Sequence, residues 1–294
     1  MTNKHLTFAI FGNSFQPRKS QSLMRVLDFL RSKGASIIFD RTFYDFLTAE
    51  QNQELGNVGT FDGDDFNADY VISMGGDGTF LKAAVRVGIK SIPLIGINMG
   101  RLGFLADVLP GEVESALQAV LEGNYNIEEH TAIQISTSGG DFDGCHYALN
   151  DIAVLKRDIA SMIGIHTSID GSFLVNYQAD GLIVTTPMGS TAYSLSNGGP
   201  IIAPGAGILC LTPVAPHSLN VRPIVVTDDS VITLNVESRS HTFLVAVDGR
   251  SVSLPEGTLI TISKAKHSVK VVRYSGRSYF STLREKMMWG LDQR

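Results

Sequence analysis

The chain has little of what would mark several large classes of protein. Only two cysteines, Cys145 and Cys210, occur in 294 residues, and neither stands in metal-ligand spacing with another Cys or His. A disulfide framework and a Cys/His metal cluster are thereby excluded as organising devices, and two free, buried thiols in a reducing compartment are expected. No run of eighteen apolar residues is present, which excludes a membrane-spanning helix. There is no excess of positive charge: 24 Lys and Arg against 29 Asp and Glu give a net charge of −5. No global field draws nucleic acid, so neither a nucleic-acid nor a membrane partner is expected. No Asn-x-Ser/Thr acceptor occurs, and Met1 to His5 lead straight into a strand-like run without the apolar stretch of a leader. The expectation is a cytoplasmic protein.

What is abundant is glycine, 29 residues, and its placement carries the first chemical signal. Tyr70-Val71-Ile72-Ser73-Met74 reads as a buried strand that delivers Gly75-Gly76-Asp77-Gly78-Thr79, after which Phe80-Leu81-Lys82-Ala83-Ala84-Val85 continues as a helix. Glycines let backbone N–H groups approach a phosphate, and a helix N-terminus adds positive potential. The loop is neither Gly-x4-Gly-Lys-Ser/Thr nor Gly-x-Gly-x-x-Gly. A carboxylate amid an anion-binding loop is electrostatically awkward unless it binds a metal or removes a proton. The plainer alternative is a tight turn with a solvated Asp.

The first third alternates strand and helix. Strands are expected at Leu6–Phe11, Ser36–Phe39, Tyr70–Met74 and Ile92–Ile97. Helices are expected from Ser20 to Lys33, capped by Gly34, from near Thr79, and around Glu112–Leu121. Continuous apolar strands between helices imply a parallel sheet covered on both faces. The polar segment Thr48–Asp69 reads as a mobile surface loop. From about Asn126 the pattern alternates, as in Ile133–Thr137, Ile165–Ile169 and Val231–Val236, with turns at Gly139-Gly140, Asp170-Gly171, Asp228-Asp229 and Asp248-Gly249. That is a mostly antiparallel β domain of sandwich type. Thr282-Leu283-Arg284-Glu285 fits a capping box for a helix through Trp289, with Leu283, Met287 and Trp289 to bury. The division expected is an α/β, Rossmann-like nucleotide-binding domain over 1–125, a β-rich domain over 126–275, and a helix within 276–294 that returns to the first domain.

A second glycine-rich element spans Asp180–Pro200: an apolar strand ends in Thr186-Pro187-Met188-Gly189, followed by Ser190-Thr191-Ala192-Tyr193-Ser194-Leu195-Ser196 and Gly198-Gly199-Pro200. Hydroxyls at the start of a short helix suit a phosphate or ribose, and Tyr193 suits stacking on a base. A Ser/Thr-rich loop that solvates itself is the alternative. No Gly-x-Ser-x-Gly elbow or basic neighbour activates Ser190. Asn150-Asp151, opening an apolar strand, has the groups to take both hydroxyls of a ribose. His217, between Pro213-Val214-Ala215-Pro216 and a polar stretch, reads more simply as a structural hydrogen-bonder.

In this order the motifs resemble those of one family, NAD kinase. The match includes Gly75–Thr79, Gly96-Ile97-Asn98 through Leu102-Gly103-Phe104-Leu105, and Asn150-Asp151. It continues with Asp180-Gly181, Thr186-Pro187, Gly189–Ser194, Gly198-Gly199-Pro200, Pro216-His217 and Asp248-Gly249. The first motif is shared with diacylglycerol-type, sphingosine and phosphofructokinase-type kinases; the later ones in this order are specific. The resemblance implies transfer of the γ-phosphate of ATP, or in some members of polyphosphate, to the adenosine-ribose 2′-hydroxyl of NAD. It implies a divalent cation, Mg²⁺ by expectation, and a homo-oligomer, dimer or tetramer. By analogy Asp77 is the base, Gly76 and Gly78 face phosphate, and Lys82 belongs to the nucleotide site. Phe104 lines the adenine pocket, Asn150 and Asp151 bind NAD ribose, Asp180 takes the nicotinamide amide, and Thr191, Ala192, Tyr193, Ser194 and Ser196 take the adenosine end. Gln178, two residues before Asp180, would share its strand face near the nicotinamide; His217 and Arg250 are further candidates. The chain departs from the family pattern at Met188, Asp151, Gln178 and Arg250. Two rivals are a diacylglycerol-type lipid kinase and a non-catalytic dinucleotide sensor; against them stand the Asp180–Pro200 stretch and the acid at position 77.

Overall fold

A computed structural model describes residues 5–12, 20–100, 103–139, 142, 145–158, 161–274 and 278–290. Met1 to Lys4, Leu102 and Gly140, singled out above, lie outside the described residues. The chain forms two compact units, Met1–Glu129 with Val269–Arg294, and His130–Ser268.

In the first unit, β1 (Thr7–Gly12), α1 (Ser20–Ser32), β2 (Ser36–Asp40), α2 (Arg41–Asp45), β3 (Gly59–Phe61), β4 (Tyr70–Gly75), α3 (Asp77–Val87), β5 (Leu94–Asn98) and α4 (Val113–Glu122) follow in order. The strands pair in parallel as β3-β2-β1-β4-β5. Apolar side chains on both sheet faces explain the burial of Phe8, Ile10, Ile72, Ile95 and Ile97. Leu23, Val26, Leu27 and Leu30, at helical spacing, are the buried stripe of α1. That helix ends as the sequence implies: Gly34 sits at φ +70°, its N–H bonds to the Arg31 carbonyl, and that of Ala35 to the Leu30 carbonyl, a left-handed C-terminal cap.

The segment Thr48–Asp69 is not the free loop expected of its composition. It contains β3, an added parallel strand on β2, and it buries Leu55, Phe61 and Phe66. Phe61 and Phe66 pack on Phe11 with ring centroids 5.3 and 5.6 Å away. Three apolar anchors spread among Asn, Asp and Gly outweigh the polar average.

The second unit opens within β6 (Tyr125–Thr137) and continues with β7 (Tyr147–Ala148), β8 (Asp151–Lys156), β9 (Ile163–Ile169), β10 (Ser172–Ala179), β11 (Gly181–Thr185), α5 (Tyr193–Ser196), β12 (Ile208–Val214), β13 (Ile224–Thr227), β14 (Ile232–Glu237), β15 (Thr242–Val247) and β16 (Arg250–Pro255). The last strand, β17 (Leu259–Tyr274), starts in this unit and ends in the first, where Val271 pairs with Leu94 of β5. One antiparallel sheet runs β13-β12-β11-β8-β15-β16. It packs Ile152, Val154, Leu182, Val184 and Val245 against Ile165, Tyr177, Leu234, Ile260 and Ile262 of the strands β9, β10, β14 and β17. This is the sandwich that alternation predicts. The Asp170-Gly171 and Asp248-Gly249 hairpins have both residues at positive φ, as tight two-residue turns require. Cys210 is buried, but Cys145 is only half-buried and donates to the Tyr147 carbonyl (3.1 Å); neither is in a disulfide.

The terminal helix α6 (Tyr279–Met287) begins one turn earlier than predicted. Its capping box is Ser278 with Ser281, and Thr282 lies buried inside the helix. Leu283 is buried, whereas Trp289 is 55% exposed, so the tryptophan is not the anchor expected of it.

Candidate active site

β4 ends at Gly75, and α3 starts two residues later with Gly76 as its N-terminal cap. Asp77 is therefore the first helical residue, not a loop residue ahead of Thr79. It lies at the carboxyl end of β4, where the order of connections reverses across β1 and β4, the usual ligand crevice of a parallel sheet. A Cβ on Gly76 or Gly78 would meet nothing within 4 Å, so the glycines leave open space before the helix. The first amides of a helix lack a regular intrahelical acceptor; here that of Thr79 turns back to the Gly76 carbonyl (3.0 Å). Gly75 is needed for the opposite reason: a Cβ there would stand 2.2 Å from the Thr79 hydroxyl.

The Asp77 carboxylate is held by a turn. Its Oδ1 accepts the N–H groups of Leu105 (3.0 Å) and Ala106 (3.2 Å), and its Oδ2 that of Phe104 (3.1 Å). Gly103 permits the approach, because a Cβ there would lie 2.1 Å from Oδ1. The turn is fixed in its own right. Asn98 at the end of β5 donates its side-chain amide to the Ala106 carbonyl (3.1 Å), and Arg273 donates to the Phe104 carbonyl (3.2 Å). Arg273 also pairs with Asp107 (2.7 Å) and Glu128 (2.9 Å). Burial pushes the Asp107 carboxyl up, opposed by Arg273.

Lys286, on α6, reaches Asp77 Oδ2 at 3.3 Å and stands 4.5 Å from the centroid of the Phe104 ring. Tyr279 lies 5.9 Å from the same ring. Phe104 is thus covered by α6 rather than open as a pocket wall. Lys82 is exposed on α3.

The remaining candidates belong to the second unit. Asn150 and Asp151 start β8, and Asp248, in the β15–β16 turn, accepts the N–H groups of Leu149 (2.8 Å), Asn150 (2.9 Å) and Asp151 (3.1 Å). Thr185 Oγ1 and the Thr186 amide both donate to the Asn150 carbonyl. This network aims the dipeptide's side chains: the Asn150 Oδ1 is buried without a hydrogen-bond partner, and Asp151 is 6% exposed. Burial, and then the neighbouring Asp248, push the Asp151 carboxyl up to about 7. Burial likewise raises Asp248, opposed by its three amide bonds and by Arg250, an exposed residue at the start of β16.

The hydroxyl-rich element Met188–Ser196 spends much of its polarity on itself. Ser190 donates to the Pro187 carbonyl (2.6 Å) and accepts from the Ile202 amide (3.0 Å). Ser194, a candidate ligand above, is wholly buried and bonded to Thr212 at 2.8 Å; it shapes the loop and offers no hydroxyl. Ser196 donates to the Tyr193 carbonyl. Tyr193 is 39% exposed, and Thr191 and Ala192 are half-buried.

Gln178 does not join Asp180. Tyr177 and Ala179 reach the core from one sheet, and Leu182 and Val184 from the other, so the chain changes sheets at Asp180, between β10 and β11, and the alternation does not carry across. Gln178 instead lines a groove of about 310 Å³ with Glu237, Arg239 and Glu256. Asp180 pairs with Lys156 (2.7 Å). His217 is exposed, and its amide bonds to the Gln178 carbonyl (2.8 Å).

Comparison with known proteins extends over both units. Residues 8–125 match the ATP-NAD kinase N-terminal domain, and residues 149–274 the ATP-NAD kinase C-terminal domain. The chain belongs to the NAD kinase family. Its relatives include an NAD kinase of Bacteroides fragilis, 53% identical over 98% of this chain and 100% of the relative. An NAD kinase of Porphyromonas gingivalis is 42% identical over 97% of this chain and 99% of the relative. Among solved structures, an NAD kinase from Archaeoglobus fulgidus in complex with ATP aligns with a TM-score of 0.73 at 27% identity, covering 96% of this chain and 99% of that one. Yeast NADH kinase complexed with NADH aligns at 0.88 with 22% identity, covering 98% and 89%, a likeness of fold. The family's α/β and all-β halves are those described above.

Lys286 and Arg273 were not legible as site residues, and Asp248 stood in a recognised motif, Asp248-Gly249, with no role assigned to it. A readable trace existed for Arg273, a charge that directly follows the apolar pair Val271-Val272. Lys286 left none, since a lysine on a polar helix face is ordinary.

Proposed function

We propose that the chain phosphorylates NAD at the 2′-hydroxyl of its adenosine ribose with ATP, giving NADP and ADP. The observation that carries this reading is Asp77: a carboxylate oriented by three backbone amides at the mouth of a glycine-flanked helix N-terminus, in a chain whose both halves match the family. The bond between the γ-phosphorus and the bridging oxygen breaks, the 2′-oxygen forms its new bond to that phosphorus, and the hydroxyl proton passes to Asp77. Gly76 and Gly78 present amides to the phosphates, and Lys82 adds positive charge on the same helix. Such chemistry asks mainly for positioning and charge neutralisation.

For the dinucleotide, Asn150 supplies an acceptor that lacks a protein donor, which is the state of a group that awaits a ligand hydroxyl. Asp151 beside it, Asp180 at the nicotinamide amide, and Thr191, Ala192, Tyr193 and Ser196 at the adenosine end complete the assignment; Arg250 acts through Asp248. A protein-held metal does not fit: among the described residues no group of three or more His, Cys, Asp or Glu is gathered to hold one. Mg²⁺ is commonly bound through substrate phosphates, and we assign the divalent cation there. A homo-oligomer and a cytoplasmic location remain part of the proposal, and no helix among the described residues is long and apolar enough to cross a membrane. A lipid kinase or a sensor accounts less well for the match over both domains. Asp77→Asn tests the reading: turnover should fall by at least ~10²–10⁴, as for a positioned general base, with NAD binding nearly intact. Loss of NAD binding with turnover preserved would reverse the assignment.

A further inference from the structure

A carboxylate has about four lone-pair directions, and four donors surround that of Asp77. Three are the amides of Phe104, Leu105 and Ala106, at 3.0–3.2 Å, and the fourth is the Lys286 ammonium at 3.3 Å. A substrate hydroxyl that is to give Asp77 its proton must displace one of them. The amides belong to a single turn, itself tied down by Asn98 and Arg273, and none can leave alone. Lys286 is different: its side chain is one-third exposed, it sits on a flexible stem, and its contact is the longest of the four. An ion pair this exposed to solvent is weak.

We propose that Lys286 is an exchangeable partner of Asp77, holding Oδ2 in the empty enzyme and passing to the phosphates of ATP when substrates arrive. This rests on the reading of Asp77 as the base. A triphosphate offers several negative charges against one on Asp77, and it is expected at the N-terminus of α3, the helix that Asp77 begins. Lysine suits a hand-over, because its ammonium is a point charge with three rotatable donors, whereas arginine has a fixed fork. Transfer also takes the ammonium off the face of the Phe104 ring.

Steady-state kinetics on the full chain, with calorimetric titration of ATP in the absence of NAD, test this for Lys286→Met, Lys286→Arg and Asp77→Asn. Lys286→Met keeps the stem and should raise both the ATP KM and the ATP Kd about ten- to hundredfold, the worth of one hydrogen bond to a charged group. The NAD KM should stay within about twofold and Tm should not change. Lys286→Arg should restore most of the ATP affinity, since it returns the charge. A wild-type ATP KM in Lys286→Met overturns the inference, as does an equal rise in both Michaelis constants with a lowered Tm. If Asp77→Asn is inactive while Lys286→Met binds ATP normally, only the role of Lys286 falls. Should Asp77→Asn turn over within tenfold of wild type, the base assignment falls and takes this inference with it.

Discussion

Asp151 should make the protein less stable as pH rises towards neutrality. In the unfolded chain its carboxyl has the ordinary value of 3.8, and in the fold it is pushed up to about 7, by burial first and Asp248 second. The folded state therefore prefers the protonated form. The favourable contribution is complete below the unfolded value and is lost as pH climbs through the folded one. At about 1.4 kcal/mol per tenfold change in proton affinity, the full loss is about 4 kcal/mol. Between pH 5 and pH 8 about 3 kcal/mol of it falls due. Asp151→Asn keeps the shape and the three amide bonds to Asp248, and it cannot ionise. Urea unfolding of both proteins across that range, without nucleotide, should show Asn gaining on Asp by about 3 kcal/mol as pH rises. A difference that stays level from pH 5 to pH 8 would refute the claim that burial beside Asp248 strains this carboxylate.

Other outcomes follow from the same geometry. Asp180→Ala removes a charged acceptor from the proposed nicotinamide end and should weaken NAD binding by roughly 1.5–3 kcal/mol while the ATP KM holds; a change in the ATP constant alone would mean the two ends were assigned in reverse. Gly103→Ala puts a Cβ 2.1 Å from Asp77 Oδ1 and 3.0 Å from the Ala106 carbonyl, so the turn must move. Turnover should drop at least tenfold and stability by about 1–3 kcal/mol, and normal kinetics would show that the turn does not orient the carboxylate. A chain ending at residue 277 loses the burial of Leu283, about 1.5–3 kcal/mol, and Tm should fall by several degrees. Trp289→Ala should leave Tm nearly unchanged, since over half of that side chain is exposed.

Much of the architecture was legible because local patterns agree with the fold. Continuous apolar strands marked the parallel sheet, the i, i+3, i+4 spacing of Leu23, Val26, Leu27 and Leu30 marked α1, and Asp-Gly turns marked the hairpins of the sandwich. The errors have physical causes. Composition described Thr48–Asp69 by its average, whereas three apolar residues decided its burial. Two capping boxes compete near position 280, and the serine pair closes the helix first. Extended-strand alternation carried Gln178 to the face of Asp180, but the chain passes from one sheet to the other between β10 and β11, and the two do not share a face. The motifs named Asp77 as the reacting group and could not reveal what holds it, since the turn 104–106, Arg273 and Lys286 meet it only through the fold.

The central claim is tested most directly by product. The purified chain, given ATP, Mg²⁺ and NAD, should form one NADP for each ADP, seen as a new phosphomonoester signal in phosphorus NMR and by an NADP-specific dehydrogenase. In Asp77→Asn that formation should fall at least a hundredfold. ADP released without NADP, or an Asp77→Asn enzyme keeping more than a tenth of wild-type turnover, would contradict the account.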